Sequence, residues 1–275
     1  MHKYQISKMR NIVAGNWKSN KSINEAREWI TVMSEAMGSM PKDVRVMIAP
    51  PAPYLSELSG GERNGILIAA QQVSAFSEGA HTGEFTANML VSCGVDFALV
   101  GHSERRADFG ESDEIVAKKV RRCIDAGLGV VLCCGENLAS RDEGTQESVI
   151  KAQLVSAFEG VISEEMDGVV VAYEPIWAIG TGRTASAAQA AEMHRFIRSY
   201  LADRFDEDIA FRTSVLYGGS CKPSNAEEIF RSPDVDGGLI ERYPFLPFVD
   251  KKPHEVQVTG IKANTIFKEN IETPI

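Results

Sequence analysis

The segment Val169-Val-Val-Ala-Tyr-Glu-Pro-Ile-Trp-Ala-Ile-Gly-Thr-Gly-Arg-Thr184 decides how the rest of the chain is read. Its first five residues form a short β-branched, apolar run, the signature of a buried strand. Glu174 ends that run. A carboxylate at the mouth of a buried strand is partly desolvated, which makes it a better base near neutral pH than a surface carboxylate. Pro175 then stiffens the exit, and an apolar tip closes in Gly-Thr-Gly. That composition suits a lid whose ends hinge while its middle excludes water.

Working outward, the same strand-then-helix unit recurs almost from end to end. Strands are expected at Ile12–Ala14, Val44–Ala49, Ile66–Ala70, Phe97–Val100, Gly129–Cys133, Val169–Tyr173, Ser214–Tyr217 and Gly237–Ile240. Helical spacing of apolar residues marks Asn24–Met37, Glu114–Ala126, Gln146–Phe158 and Ala187–Phe205 between them. Alternation of this kind implies parallel pairing with right-handed crossovers. Eight strands at intervals of about 30 residues fit a closed (β/α)8 barrel better than a doubly wound sheet. The expectation is one α/β domain at 11–240, preceded by an extension at 1–10 and followed by a different segment at 241–275.

Composition narrows the function classes. Hydrophobic residues make up 44% of the 275, enough for a large core. The formal net charge of -9 argues against nucleic-acid binding, which requires a basic face. It leaves room for a small anionic substrate, because one lysine and a few oriented N–H groups dominate locally. The five cysteines are odd in number and lack metal spacing, so reduced thiols and no metal are expected. The first ten residues have no apolar core of a signal peptide, and no stretch is long enough to span a bilayer. The expected location is cytoplasmic.

Polar residues gather just after the strands, at Asn16, His102, Glu136, Glu174 and Gly218-Gly219. In a barrel those positions share the C-terminal rim, where catalytic groups of such folds sit. Lys18, beyond the first strand, can neutralise an anion and polarise a carbonyl, with Asn16 fixing its direction. His102 opens a helical turn. It reads either as a neutral electrophile, its charged form disfavoured by the backbone N–H groups it faces, or as a structural cap. Glu104 has four candidate partners in Lys18, His102, Arg105 and Arg106. Gly218-Gly219-Ser220 permits close backbone approach to an anion, and also serves as an ordinary turn.

Taken together and in order, Ala14–Asn20 (AGNWKSN), Val100–Arg106 (VGHSERR), Tyr173–Ala185 (YEPIWAIGTGRTA) and Leu216–Ser220 (LYGGS) resemble the triosephosphate isomerase family. Ala69–Leu90 resembles that family's dimer loop, and the likeness runs from about Asn11 to Ile240. The resemblance implies a TIM barrel, and a glycolytic and gluconeogenic isomerase of dihydroxyacetone phosphate and glyceraldehyde 3-phosphate. It implies Glu174 as the base, His102 as the electrophile, and Lys18 with Asn16 as electrostatic contacts to the substrate. It further implies Gly180 and Ser220 as phosphate contacts, and Ile179 with Leu239 as an apolar pair around the base. No cofactor or metal is implied. A homodimer is, formed through the loop around Thr82, whose tip would enter a partner subunit near Lys18.

One region departs from the family pattern. After the eighth strand the family has Gly-Gly-Ala, whose N–H groups meet the phosphate; this chain has Glu241 and Arg242. Beyond them Pro244, Pro247 and Pro253 interrupt any long helix, so the last barrel helix is expected to be replaced. Val256–Val258 alternates like a strand, and Ile266–Ile271 reads as a short helical turn. The sharpness of the break points to a shifted reading frame or an exchanged C terminus. A barrel with impaired phosphate binding is therefore the competing expectation.

Overall fold

The computed structural model describes residues 11–179, 181 and 183–240, leaving aside the side chains of 223 and 224. For the short strands at 247–249, 256–258 and 261–262 it describes the backbone alone.

The eight apolar runs form eight parallel strands: β1 (Asn11–Asn16), β2 (Val44–Ala49), β3 (Leu67–Ala70), β4 (Phe97–Val100), β5 (Gly129–Cys134), β6 (Val169–Tyr173), β7 (Ser214–Tyr217) and β8 (Gly237–Ile240). They close into a barrel, with β8 beside β1 in a register that pairs Ile12 with Gly237 and Gly15 with Ile240. Ten α-helices lie among the described residues: α1 (Ile23–Ala36), α2 (Leu55–Gly60), α3 (Ala87–Ser92), α4 (Ser103–Phe109), α5 (Asp113–Ala126), α6 (Leu138–Asp142), α7 (Gln146–Ala157), α8 (Ala187–Arg204), α9 (Glu207–Arg212) and α10 (Pro223–Phe230).

Side chains alternate between two separate apolar clusters, as the period of two in a strand demands. Ile12, Ala14, Met47, Phe97, Val131 and Leu216 fill the barrel lumen, while Val13, Val46, Ile48, Val130, Val171 and Val215 meet the helices. Cys133 falls in the first cluster and Cys134 in the second, so the adjacent thiols point apart.

Five of the eight barrel strands have the expected ends, and β1, β3 and β5 differ by one or two residues. β1 is longer at both ends because it pairs with β2 over all six of its residues. α5 shows how the sequence bounds a helix at both ends. Its N-cap Ser112 accepts from Ile115 N, Val116, Val120 and Cys123 face inward, and Gly127 ends it in the left-handed region at φ 70°. No helix follows β8 among the described residues. Instead β9 (Pro247–Val249), β10 (Val256–Val258) and β11 (Ile261–Lys262) form a small antiparallel sheet, which includes the expected strand at Val256–Val258. The turn expected at Ile266–Ile271 lies outside the described residues, as does the extension at 1–10.

At the N-terminal end of the barrel two aspartates tie neighbouring strands. Asp96 Oδ2 accepts from Ile68 N of β3 and pairs with Arg63. Asp236 Oδ2 accepts from Val215 N of β7 and pairs with Arg198.

Candidate active site

Barrel closure brings together on the C-terminal rim residues far apart in sequence. Glu174 leaves β6 directly and is only 1% exposed. Its position depends on two glycines: a Cβ on Gly135 would lie 1.9 Å from the Glu174 carbonyl oxygen, and one on Gly218 would lie 2.9 Å from its Cγ. Glu174 Oε2 accepts from Ser103 N at 2.9 Å, at the start of α4. Glu174 Oε1 lies 3.2 Å from His102 Nε2.

His102 resolves its two sequence readings by satisfying both. It is the N-cap of α4, and its Nδ1 accepts from Glu104 N at 3.2 Å. A ring nitrogen that accepts a backbone N–H carries no proton, so in the neutral ring the proton sits on Nε2, facing Glu174. Asn16 Nδ2 also stands 3.4 Å from Nε2. Two N–H groups cannot bond to one another, so with the proton on Nε2 that contact is one of packing.

Lys18 follows β1. Its backbone has a positive φ of 50°, and its N–H donates to Asn16 Oδ1 at 3.0 Å. Its ammonium meets Glu104 Oε1 at 2.6 Å, and His102 Nδ1 stands 3.8 Å from Glu104 Oε2, so two of the four candidates meet at Glu104. Arg105 pairs instead with Glu111 and Arg106 with Asp113. A cavity of about 200 Å³ opens beside this cluster, lined among others by Asn16, Lys18, Gln71, His102, Glu104 and Phe109.

The segment that follows β6 is anchored to the barrel. Ile176–Ala178 forms a single 3-10 turn, and Trp177 Nε1 donates to Glu136 Oε1 at 2.7 Å. Tyr173 Oη donates to the same oxygen at 2.9 Å. Burial pushes the Glu136 carboxyl above its ordinary range, opposed by these hydrogen bonds and by Arg141. Thr181 Oγ1 donates to the Trp177 carbonyl at 2.8 Å.

The other expected site residues are placed less centrally. Ser220 is half-buried on the rim after β7, where its carbonyl accepts from Asn225 Nδ2. Ile179 is half-buried at the end of the 3-10 turn, and Leu239 belongs to the lumen cluster. Gly180, Glu241 and Arg242 lie outside the described residues. Thr82 is exposed in the long β3–α3 connection. Sequence reasoning missed Gln71, Ser103 and the Glu136–Trp177 link. Ser103 acts through its backbone N–H, for which no side-chain signal exists.

Among the described residues no group of His, Cys, Asp and Glu side chains is arranged to hold a metal, and no helix is long and apolar enough to cross a membrane. Chemically, the cluster pairs a buried carboxylate with an imidazole N–H and an ammonium. That set can move a proton from carbon while stabilising charge on a neighbouring oxygen.

Comparison with known proteins agrees with this geometry. The triosephosphate isomerase family matches residues 11–243. A Bacteroides fragilis protein described as triosephosphate isomerase is 45% identical over 232 residues, 84% of this chain and 92% of the relative. One from Xanthomonas euvesicatoria pv. vesicatoria, described likewise, is 48% identical over 233 residues, 84% of this chain and 91% of its own. This chain belongs to the triosephosphate isomerase family.

Proposed function

We propose that this chain interconverts dihydroxyacetone phosphate and glyceraldehyde 3-phosphate through an enediolate. Glu174 takes a proton from C1 of the ketose while His102 Nε2–H donates to the C2 oxygen. The proton held by Glu174 then returns to C2, His102 moves the hydroxyl proton between the oxygens, and the aldose results. Lys18 and Asn16 hold the substrate and oppose the charge that builds on its oxygens. Ser220 and the lid at Gly180 contact the phosphate, and Ile179 with Leu239 keep the base's surroundings apolar. Hydrogen bonds and charge stabilise the enediolate without a metal or cofactor.

The observation that carries the reading is the buried Glu174–His102 pair at 3.2 Å, with the proton assigned to Nε2 by the Glu104 N–H. Steady-state interconversion of the two triose phosphates tests it, with Glu174→Gln as control. Turnover that is lost in Glu174→Gln supports the assignment; turnover indifferent to it overturns the assignment.

The chain is further proposed to work as a cytoplasmic homodimer of barrels spanning 11–240, without nucleic-acid or membrane partners. The Thr82 loop of one copy would fill the cavity beside Lys18 of the other. Three aromatic or apolar side chains in and after that loop, Phe76, Phe85 and Met89, are 52%, 39% and 50% exposed, and Phe76 stacks on His81 to shape the tip. The cytoplasmic placement is supported by the five cysteines, all free thiols. Sedimentation at working concentration should give twice the mass of one chain. A monomeric mass would overturn the dimer.

A further inference from the structure

We propose that Gln71 is a positioning residue for Lys18, an inference that rests on the isomerase reading above. Lys18 carries the ammonium of the site on a backbone at φ 50°, a region that residues with a side chain occupy only when their surroundings hold them there. Hydrogen bonds on both sides of the residue hold this one. Its N–H donates to Asn16 Oδ1 at 3.0 Å, and its carbonyl accepts from Gln71 Nε2 at 2.8 Å.

The second proton on the same Gln71 nitrogen goes to the Ala49 carbonyl, also at 2.8 Å. Both partners are carbonyl oxygens, so only the amide nitrogen can face them and chemistry fixes the orientation of the side chain. Ala49 ends β2, and its carbonyl also accepts from Trp17 N at 3.1 Å. Gln71 itself follows β3. One half-buried amide thus ties the exits of the first three strands and clamps the strained peptide of the first.

The consequence for the ammonium is geometric. If Lys18 relaxes to a negative φ, its side chain swings about the N–Cα bond, away from Glu104 and the cavity. Gln71 reaches the site through the Lys18 carbonyl, so its effect on the reaction passes through Lys18.

The test is a double-mutant cycle on the full chain. Gln71→Met keeps the length and volume of the side chain and removes both donors. It should lower kcat/KM for the triose phosphates by about tenfold or more, with the secondary structure and oligomeric mass unchanged. In a Lys18→Met background the same change should alter the residual kcat/KM by less than about twofold, because its target is gone. Gln71→Glu keeps the shape but turns a carboxylate toward two carbonyls. It should lose at least as much, and it carries the comparison if Gln71→Met does not fold. A kcat/KM close to wild type in Gln71→Met overturns the proposal. So does an equal fold-loss in both backgrounds, or a loss that follows dissociation of the oligomer. A wild-type chain that fails to turn over the triose phosphates defeats the isomerase reading instead, before any variant is compared.

Discussion

The two ends of the barrel both bury carboxylates, and they satisfy them differently. At the N-terminal end Asp96 and Asp236 each face an arginine and a backbone N–H of the adjacent strand. At the C-terminal rim Glu174 faces the His102 imidazole and the Ser103 N–H. Glu136, on the same rim, has one oxygen without a hydrogen-bond partner among the described residues, and Arg141 stands 3.9 Å from the other. A carboxylate locked by a guanidinium and a peptide has its charge fully matched and stabilises the wall. One matched by a weak, exchangeable partner remains available to a substrate. Burial alone therefore does not mark a catalytic group; what compensates the charge does.

The largest effect expected from breaking this contrast is at the rim. Glu174→Gln should lower kcat by about 10²–10⁴, the usual contribution of a positioned base, with little change in melting temperature. A matching loss of stability would mean that the two ends are not different in kind. The reverse experiment is Asp96→Ala, which strands Arg63 and frees Ile68 N. It should lower unfolding free energy by about 3–5 kcal/mol in denaturant titration, and leave kcat/KM per folded molecule unchanged.

A third test lies between the two ends. His194 of α8 is fully buried against Tyr173 and Tyr217, the last residues of β6 and β7. Burial holds its imidazole far below the ordinary 6.5, to about 3. The folded chain therefore keeps His194 neutral where the unfolded chain protonates it. Stability is fully present above pH 6.5 and declines as pH falls toward 3, by up to about 1.4 kcal/mol per unit. Melting curves at pH 7 and pH 5 should differ, and His194→Gln should flatten that slope. A slope unchanged in the variant would assign acid sensitivity to the carboxylates instead. The smallest effect is expected from Trp177→Phe, which removes the indole donor to Glu136. Its loss should cost about 1–2 kcal/mol in unfolding free energy.

The barrel strands were legible because strands buried on both faces must be short, continuous apolar runs, and helices between them leave periodic ones. β2, β4, β6, β7 and β8 begin and end where those runs do. The rim residues were legible as polar groups following the runs. The partners of Glu104 were not, because Lys18, His102, Arg105 and Arg106 were all candidates; in the structure Lys18 and His102 stand at Glu104, while Arg105 and Arg106 pair with Glu111 and Asp113. Gln71 was invisible for a different reason. Its importance follows from the φ of Lys18, which no residue type announces, and from the adjacency of three strand ends.

By itself, then, the sequence determined the eight strands, the rim, and the carboxylate, imidazole and lysine that stand on it. Those follow from local sterics and the burial of apolar side chains, which act over a few neighbouring residues. Only the tertiary structure decided which groups meet: Glu174 with Ser103 across 71 residues, Lys18 with Glu104 across 86, and the imidazole proton on Nε2 rather than Nδ1. Those pairings depend on β8 closing against β1. Closure converts residues scattered along the chain into one rim, and no local spacing encodes it.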